Sequence, residues 1–186
     1  TGTSDLAAAV DGAGLVVVAV PSQSARGVLA PLAGALADDA AAVSLMKGVE
    51  LGTGMRMSQV LGEALALPEE RVAVVSGPNL ADEIAAGQPT ATVVAARDQE
   101  LAARVAAACA TSTFRPYTNA DVLGVELCGA VKNVIALAVG CAVGCGFGDN
   151  SKATIITRGL VEITRLGLAL GASPETFAGL AGMGDL

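Results

Sequence analysis

Short apolar runs alternate with segments of helical periodicity along the first 96 residues of the chain. The runs are rich in valine and alanine, as in residues 15–20, and predict strands that are buried on both faces. Strands are predicted at residues 14–20, 41–46, 72–76, 90–96 and 114–118. Helices are predicted at residues 22–36, 55–65, 79–86 and 99–110. The alternation is typical of an α/β fold in which helices flank a parallel sheet.

Beyond about residue 120 the pattern changes to long helical segments. Helices are predicted at residues 121–145, 150–170 and 173–181. The last has a favourable start, because Ser173 can serve as the N-cap and Pro174 suits the first helical position. The sequence therefore predicts two domains, an α/β domain at residues 1–119 and a helical domain at residues 120–186.

The longest apolar run, residues 134–147, is shorter than the ~20 residues that a membrane-spanning helix requires. It is predicted to be a buried core helix, and no membrane span is expected. Residues 1–10 lack the basic and apolar regions of a signal peptide. A cytoplasmic protein is the expectation.

Charge and composition exclude several classes of function. The 11 Lys and Arg residues are scattered among 18 Asp and Glu, for a net charge of −7, so nucleic acid is not an expected partner. The chain has no histidine, which excludes Ser-His-Asp and Cys-His catalysis and His-containing metal sites. Its four cysteines form no CxxC pair, so no metal site is predicted and a reduced compartment is expected.

Three turns that follow predicted strands are candidates for ligand binding, because ligands of open parallel sheets bind beyond the carboxyl ends of the strands. These turns contain Pro21, Lys47, and Gly77 with Asn79. A glycine lets the backbone approach a ligand closely, and a lysine supplies positive charge. Each turn also has a purely structural interpretation, since strand-to-helix junctions use these residue types for turns and caps.

Lys132 is the strongest single candidate, since it lies with Asn133 in an otherwise apolar helix. It can act as a proton donor and acceptor, or it can simply extend its ammonium group from the helix edge to water. Asp185 follows Gly182 and Gly184 in the segment GMGDL at residues 182–186. It can be a loop cap or a ligand to a substrate hydroxyl.

Six motifs together resemble, in order and spacing, the bacterial NAD(P)-dependent glycerol-3-phosphate dehydrogenases. They are VPS at 20–22, KGVE at 47–50, SGPNLADE at 76–83, GAVKNVIA at 129–136, TRGLVE at 157–162 and GMGDL at 182–186. The resemblance implies an incomplete Rossmann-like domain followed by the start of an all-helical substrate domain. It also implies interconversion of dihydroxyacetone phosphate and sn-glycerol 3-phosphate with NAD or NADP, which feeds phospholipid synthesis.

The resemblance assigns roles to individual residues. Lys132 is implied to be the catalytic general acid/base that protonates the ketone oxygen. The substrate-binding residues implied are Lys47, Gly77, Asn79, Lys132, Asn133 and Asp185. The cofactor-binding residues implied are Pro21, Lys47 and Ala81.

The chain departs from the family in lacking a G-x-G-x-x-G fingerprint at a strand-to-helix turn. Glycine-rich residues 140–148 follow a long helix, so they are not that fingerprint. The resemblance implies that this chain is an internal fragment, inactive alone, without the main phosphate site of the cofactor or the segment that binds the substrate phosphate.

Two alternative hypotheses for the function remain open on the sequence alone. A relative of ketopantoate reductase or of 6-phosphogluconate dehydrogenase also combines a Rossmann half with a lysine on a helix. A non-catalytic helical dimerisation module is a second alternative, and a homodimer of the full-length protein is compatible with either. The preference for NAD over NADP is not encoded in these residues.

Overall fold

Five strands form one sheet in the first part of the computed structural model, which describes residues 2–186. The strands are β1 (Leu15–Val18), β2 (Ala41–Ser44), β3 (Val72–Ser76), β4 (Thr90–Ala96) and β5 (Phe114–Asn119). Their spatial order follows their order along the chain. All five lie where strands are predicted, and the α/β fold class is confirmed.

One strand pair differs from the parallel sheet that the sequence predicts. β1–β2, β2–β3 and β4–β5 are parallel, whereas β3 and β4 are antiparallel. Residues 77–89, between β3 and β4, contain only the five-residue helix α4 (Ala81–Ala85). A helix of that length advances only about 7 Å, too little to carry the chain back along a strand, so β4 runs in the reverse direction.

The helices of the first part agree with the predictions except near the chain start. The predicted helix at residues 22–36 is broken into α2 (Ala25–Leu29) flanked by two 3₁₀ turns. Pro31 explains the break, because its ring has no N–H to donate and clashes with the preceding turn. α1 (Leu6–Val10) was not predicted; Asp5 caps it by accepting from two backbone N–H groups. The other helices here are α3 (Met57–Leu65) and α5 (Gln99–Cys109).

Apolar side chains cover the sheet on both faces. One cluster joins Val18 of β1 to Met57 and Leu61 of α3. Another joins the strands to Leu101 and Val105 of α5. Burial on both faces is the reason that β2, β3 and β4 read as continuous apolar runs.

Three helices form the second part of the chain. They are α6 (Val122–Gly144), α7 (Asp149–Ala169) and α8 (Pro174–Ala178). The Asp121 side chain accepts from Gly124 N, Ser173 N and Thr176 Oγ1 at 2.7–2.8 Å, which ties the start of α6 to the start of α8. Val125 and Phe177 pack beneath the sheet against Val74 and Val93.

α6 agrees to within one residue at each end with the helix predicted at residues 121–145. Its 23 residues are long and apolar enough to cross a membrane by length and composition alone, which the apolar run at residues 134–147 did not indicate. The first half of α6, however, is buried against the rest of the protein at Val125, Glu126 and Cys128. The core helix of a soluble protein passes the same test of length and composition.

Candidate functional site

The candidate site lies at one edge of the sheet, where the parallel strands β1, β2 and β3 end. Pro21, Lys47 and Gly77 each follow one of these strands. Parallel strands bring their carboxyl ends to the same edge, which is the edge where ligands of such sheets bind. α6 packs across the end of β3 and adds its own side chains to the edge.

Two lysines and one carboxylate meet at this edge. Lys132 Nζ of α6 lies 2.5 Å from Asp185 Oδ1 and also donates to the Asp185 backbone oxygen at 2.9 Å. Lys47 Nζ pairs with Asp185 Oδ2 and lies 3.4 Å from the Gly77 oxygen. The chain thus joins residues that are 138 and 53 positions apart in sequence into one cluster.

The charges in this cluster do not cancel. The Asp185 side chain is only 4% exposed, whereas those of Lys47 and Lys132 are 29% and 23% exposed. Two ammonium groups share one carboxylate, which leaves one surplus positive charge on a partly buried cluster. Such a cluster favours an anionic ligand or an oxygen that gains negative charge during a reaction.

The turn after β3 is held in place by β4. Asn79 Nδ2 donates to Thr92 Oγ1 at 2.9 Å, and Thr92 Oγ1 donates to the Ser76 oxygen at 3.1 Å. Gly77 is buried with a φ of +142°, which favours glycine. Among the described residues, Asn79 Oδ1 and Ser76 Oγ are buried without a hydrogen-bond partner. Asn79 therefore has a free acceptor at the site.

Three other predicted site residues, Pro21, Ala81 and Asn133, do not join the cluster. Pro21 and Ala81 are exposed at the starts of a 3₁₀ turn and of α4. Asn133 is exposed on α6 beside Lys132, and its side chain forms no hydrogen bond within residues 2–186. None of the three forms a hydrogen bond or an ion pair with Lys47, Lys132 or Asp185 within the described residues.

Sequence reasoning missed a second ion pair that joins the two parts of the chain. Glu126 of α6, 7% exposed, pairs with Arg56 and accepts from Ser58 N and Ser58 Oγ at 2.7 and 2.6 Å. Ser58 lies in the first turn of α3, where a carboxylate also benefits from the helix dipole. The sequence did contain a signal for this ion pair, because Glu126 is a carboxylate between the apolar residues Val125 and Leu127. Thr92, which orients Asn79, was likewise missed.

The cysteines take no part in the site. Burial raises the pKa of the Cys128 thiol to about 12, which leaves it unreactive at neutral pH. Cys141 and Cys145 are exposed further along α6. No cluster of three or more metal-ligating His, Cys, Asp or Glu side chains occurs in the part of the chain that the structure describes.

The chain matches family models and known proteins of one enzyme family. Residues 1–102 match the family model described as NAD-dependent glycerol-3-phosphate dehydrogenase N-terminus, and residues 121–186 match the model described as the C-terminus of the same family. A glycerol-3-phosphate dehydrogenase [NAD(P)+] of Thermobifida fusca is 59% identical over 186 residues, which cover 100% of this chain and 55% of the relative. The enzyme of the same name from Streptomyces griseus is 60% identical over 184 residues, 99% of this chain and 55% of the relative.

Solved structures agree with the sequence comparison. A glycerol-3-phosphate dehydrogenase from Coxiella burnetii is 37% identical with a TM-score of 0.91, over 98% of this chain and 55% of that chain. A structure of DsGPDH from Dunaliella salina is 31% identical with a TM-score of 0.90, over 98% of this chain and 32% of that chain. The chain therefore spans about half the length of the curated relatives it matches.

Proposed function

Because the chain belongs to the NAD-dependent glycerol-3-phosphate dehydrogenase family, we propose that the whole protein reduces dihydroxyacetone phosphate to sn-glycerol 3-phosphate reversibly with NADH or NADPH. The whole protein here means the gene product that contains this chain. The observation that carries the proposal is the Lys47–Asp185–Lys132 cluster at the carboxyl edge of the sheet. Family membership favours this reaction over that of a ketopantoate or 6-phosphogluconate enzyme, and over a non-catalytic module.

Lys132 is proposed to be the general acid. Reduction of the ketone adds a hydride to carbon C2, breaks the carbonyl π bond and leaves negative charge on the oxygen, which must gain a proton. An ammonium group has three donors, and Asp185 accepts two of those of Lys132. The third remains available for the substrate oxygen, where it stabilises the charge and supplies the proton. In the reverse reaction the neutral amine takes the proton back from the hydroxyl.

Lys47 is proposed to bind substrate and cofactor. Two of its contacts are internal, to Asp185 Oδ2 and to the Gly77 oxygen, so one donor remains for a ligand. The free acceptor Asn79 Oδ1 suits a hydroxyl donor of the substrate. Asp185 orients both lysines, and Gly77 allows the backbone of this turn to approach the substrate. Asn133 is proposed to help hold the reacting geometry from the neighbouring position on α6.

The residues at this edge fit the nicotinamide end of a dinucleotide. Pro21 and Leu80, both exposed, offer apolar surface for a flat ring, and Ala81 adjoins Leu80 at the start of α4. Lys47 adds positive charge beside them. When bound, the cofactor supplies the hydride, while the protein binds the substrate, orients it and moves the proton.

The role of α6, the boundary between the two domains and the cellular location are also part of the proposal. α6 serves as the core helix of a helical domain rather than as a membrane span, because its first half packs on β3 and carries the buried Glu126 ion pair. The nucleotide domain is proposed to comprise residues 1–119, and the helical domain begins at residue 120. A cytoplasmic location fits an enzyme that acts on soluble phosphate esters.

The assay that tests the proposal follows oxidation of NADH and of NADPH by the whole protein at saturating dihydroxyacetone phosphate. We expect turnover with at least one cofactor, and none above background with ketopantoate. Oxidation of either cofactor by ketopantoate alone would contradict the substrate, as would a lack of turnover with dihydroxyacetone phosphate.

Replacing Asp185 with asparagine is expected to lower kcat/KM for dihydroxyacetone phosphate about 100-fold. The amide cannot accept from both ammonium groups as a carboxylate does, so Lys47 and Lys132 repel each other and leave their aligned positions. Asp149→Asn is the matched control, because Asp149 is 93% exposed and pairs only with Lys152. Steady-state kinetics of both variants measure this change. A fall in kcat/KM of less than threefold in Asp185→Asn would refute the orienting role of Asp185.

A further inference from the structure

We propose that Gly129 is a positioning residue that sets how closely α6 approaches the end of β3, and that this spacing aligns Lys132 with Lys47. The inference rests on the proposed function and names a residue of the same site that does not touch the reacting atoms. Gly129 is buried on α6, one turn before Lys132.

The contact at Gly129 is closer than a side chain would permit. A methyl group added there would lie 2.8 Å from Ser76 Oγ, and 3.4 and 3.6 Å from Lys47 Cγ and Cδ. Non-bonded Cβ atoms in proteins essentially never lie within 3.0 Å of another heavy atom, so the 2.8 Å contact with Ser76 Oγ would be a clash. The bare backbone of α6 thus packs directly against the end of β3 and the aliphatic stem of Lys47.

The backbone of β3 has little freedom to yield at this contact. Ser76 is 3% exposed, and its carbonyl oxygen accepts from Thr92 Oγ1 of the adjoining strand. At the next residue, Gly77, φ is +142°, and a methyl group added there would lie 3.4 Å from Thr92 Cα, in van der Waals contact. A larger residue at position 129 must therefore displace α6, the Lys47 stem or the Ser76 hydroxyl, which has no hydrogen-bond partner among the described residues, rather than the backbone of β3.

Displacement of α6 acts on the proposed chemistry through Lys132. Lys47 follows β2, whereas Lys132 belongs to α6, so the two lysines move relative to each other when the helix shifts. Relief of the clash requires a shift of roughly half an ångström, and a misplacement of about 1 Å can cost about 100-fold in rate. The loss should be largest in kcat, because the displaced helix carries the proton donor Lys132, whereas the Lys47 stem, which also meets Gly129, adds a smaller effect on binding of substrate and cofactor.

Gly129→Ala in the whole protein is the variant that tests this inference. We expect kcat for dihydroxyacetone phosphate to fall about 10-fold to 100-fold, a larger change than that in the KM for the cofactor. Gly140→Ala is the matched control, because Gly140 lies on the same helix with open space around it. It should leave kcat unchanged.

A second substitution separates a steric cause from a general loss of stability. Ser76→Ala removes the hydroxyl that an alanine at position 129 meets, so the double variant Gly129→Ala/Ser76→Ala should recover most of the lost kcat relative to Ser76→Ala alone. Ser76→Cys, whose larger sulfur presses on Gly129 from the strand side, should lower kcat in the same direction and serves if Gly129→Ala does not fold.

The outcomes distinguish this inference from the proposed function. A wild-type protein that turns over dihydroxyacetone phosphate, together with unchanged kcat in Gly129→Ala or in Ser76→Cys, would overturn the positioning role alone. Equal losses in Gly129→Ala and in the double variant would overturn it too. A wild-type protein without turnover would overturn the proposed function, and with it this inference.

Discussion

Replacing Lys132 with alanine is expected to lower kcat for dihydroxyacetone phosphate about 100-fold to 10,000-fold, the range contributed by a positioned general acid. The variant loses both the proton donor and the positive charge that stabilises the oxygen. Its fold should survive, because the Lys132 side chain is 23% exposed and Asp185 keeps its pair with Lys47. Stopped-flow or steady-state oxidation of the reduced cofactor measures the loss.

Two further variants make this result specific. Lys132→Arg keeps the charge but holds its proton at any accessible pH, so it should remain at least about 100-fold slow. Lys152→Ala is the control, since Lys152 lies on α7 and pairs only with the exposed Asp149. Activity of Lys132→Ala within threefold of the wild type would show that the proton reaches the substrate by another route.

Replacing Glu126 with alanine is expected to lower the free energy of unfolding by about 3 kcal/mol, the typical cost of breaking a buried ion pair from one side. Arg56, whose side chain is 21% exposed, then lacks its carboxylate, and two donors of Ser58 lose their acceptor. Chemical denaturation of the whole protein, followed by circular dichroism, measures the change.

The control for that prediction is an ion pair on the surface. Glu162→Ala removes the exposed pairs of Glu162 with Arg158 and Arg165, and should cost less than about 1 kcal/mol. The double variant Arg56→Met/Glu126→Leu should be more stable than Glu126→Ala, because it leaves no unpaired charge at this contact. Equal stabilities of Glu126→Ala and Glu162→Ala would mean that the Arg56–Glu126 contact contributes nothing beyond a surface pair.

Much of the fold could be predicted because the burial of a strand or helix shows in the apolar residues of its own sequence. The strands β2, β3 and β4 read as apolar runs since both faces of the sheet are covered there, and β3 and β4 have the predicted bounds. The direction of β4 could not be predicted in this way, because it depends on how far α4 carries the chain and not on the strand itself. Pro31 was a local signal for the broken helix and was overlooked.

The candidate site was predictable as a set of residue types but not as a geometry. Lys47 and Lys132 were identified from their place after a strand and in an apolar helix, and Asp185 only from its motif. Nothing local indicates that one carboxylate bridges two lysines at such distances along the chain. For the same reason the contact of Gly129 with Ser76 was not foreseen, since a glycine in a helix gives no sign of what packs against it.

The most direct test of the account is a crystal structure of the whole protein with dihydroxyacetone phosphate and an oxidised cofactor, a complex in which no hydride can be transferred. We predict that Lys132 Nζ lies within about 3.2 Å of the C2 oxygen of the substrate, with Asp185 still bridging the two lysines. A substrate whose C2 oxygen faces other donors, with Lys132 out of hydrogen-bond reach, would contradict the role assigned to the cluster.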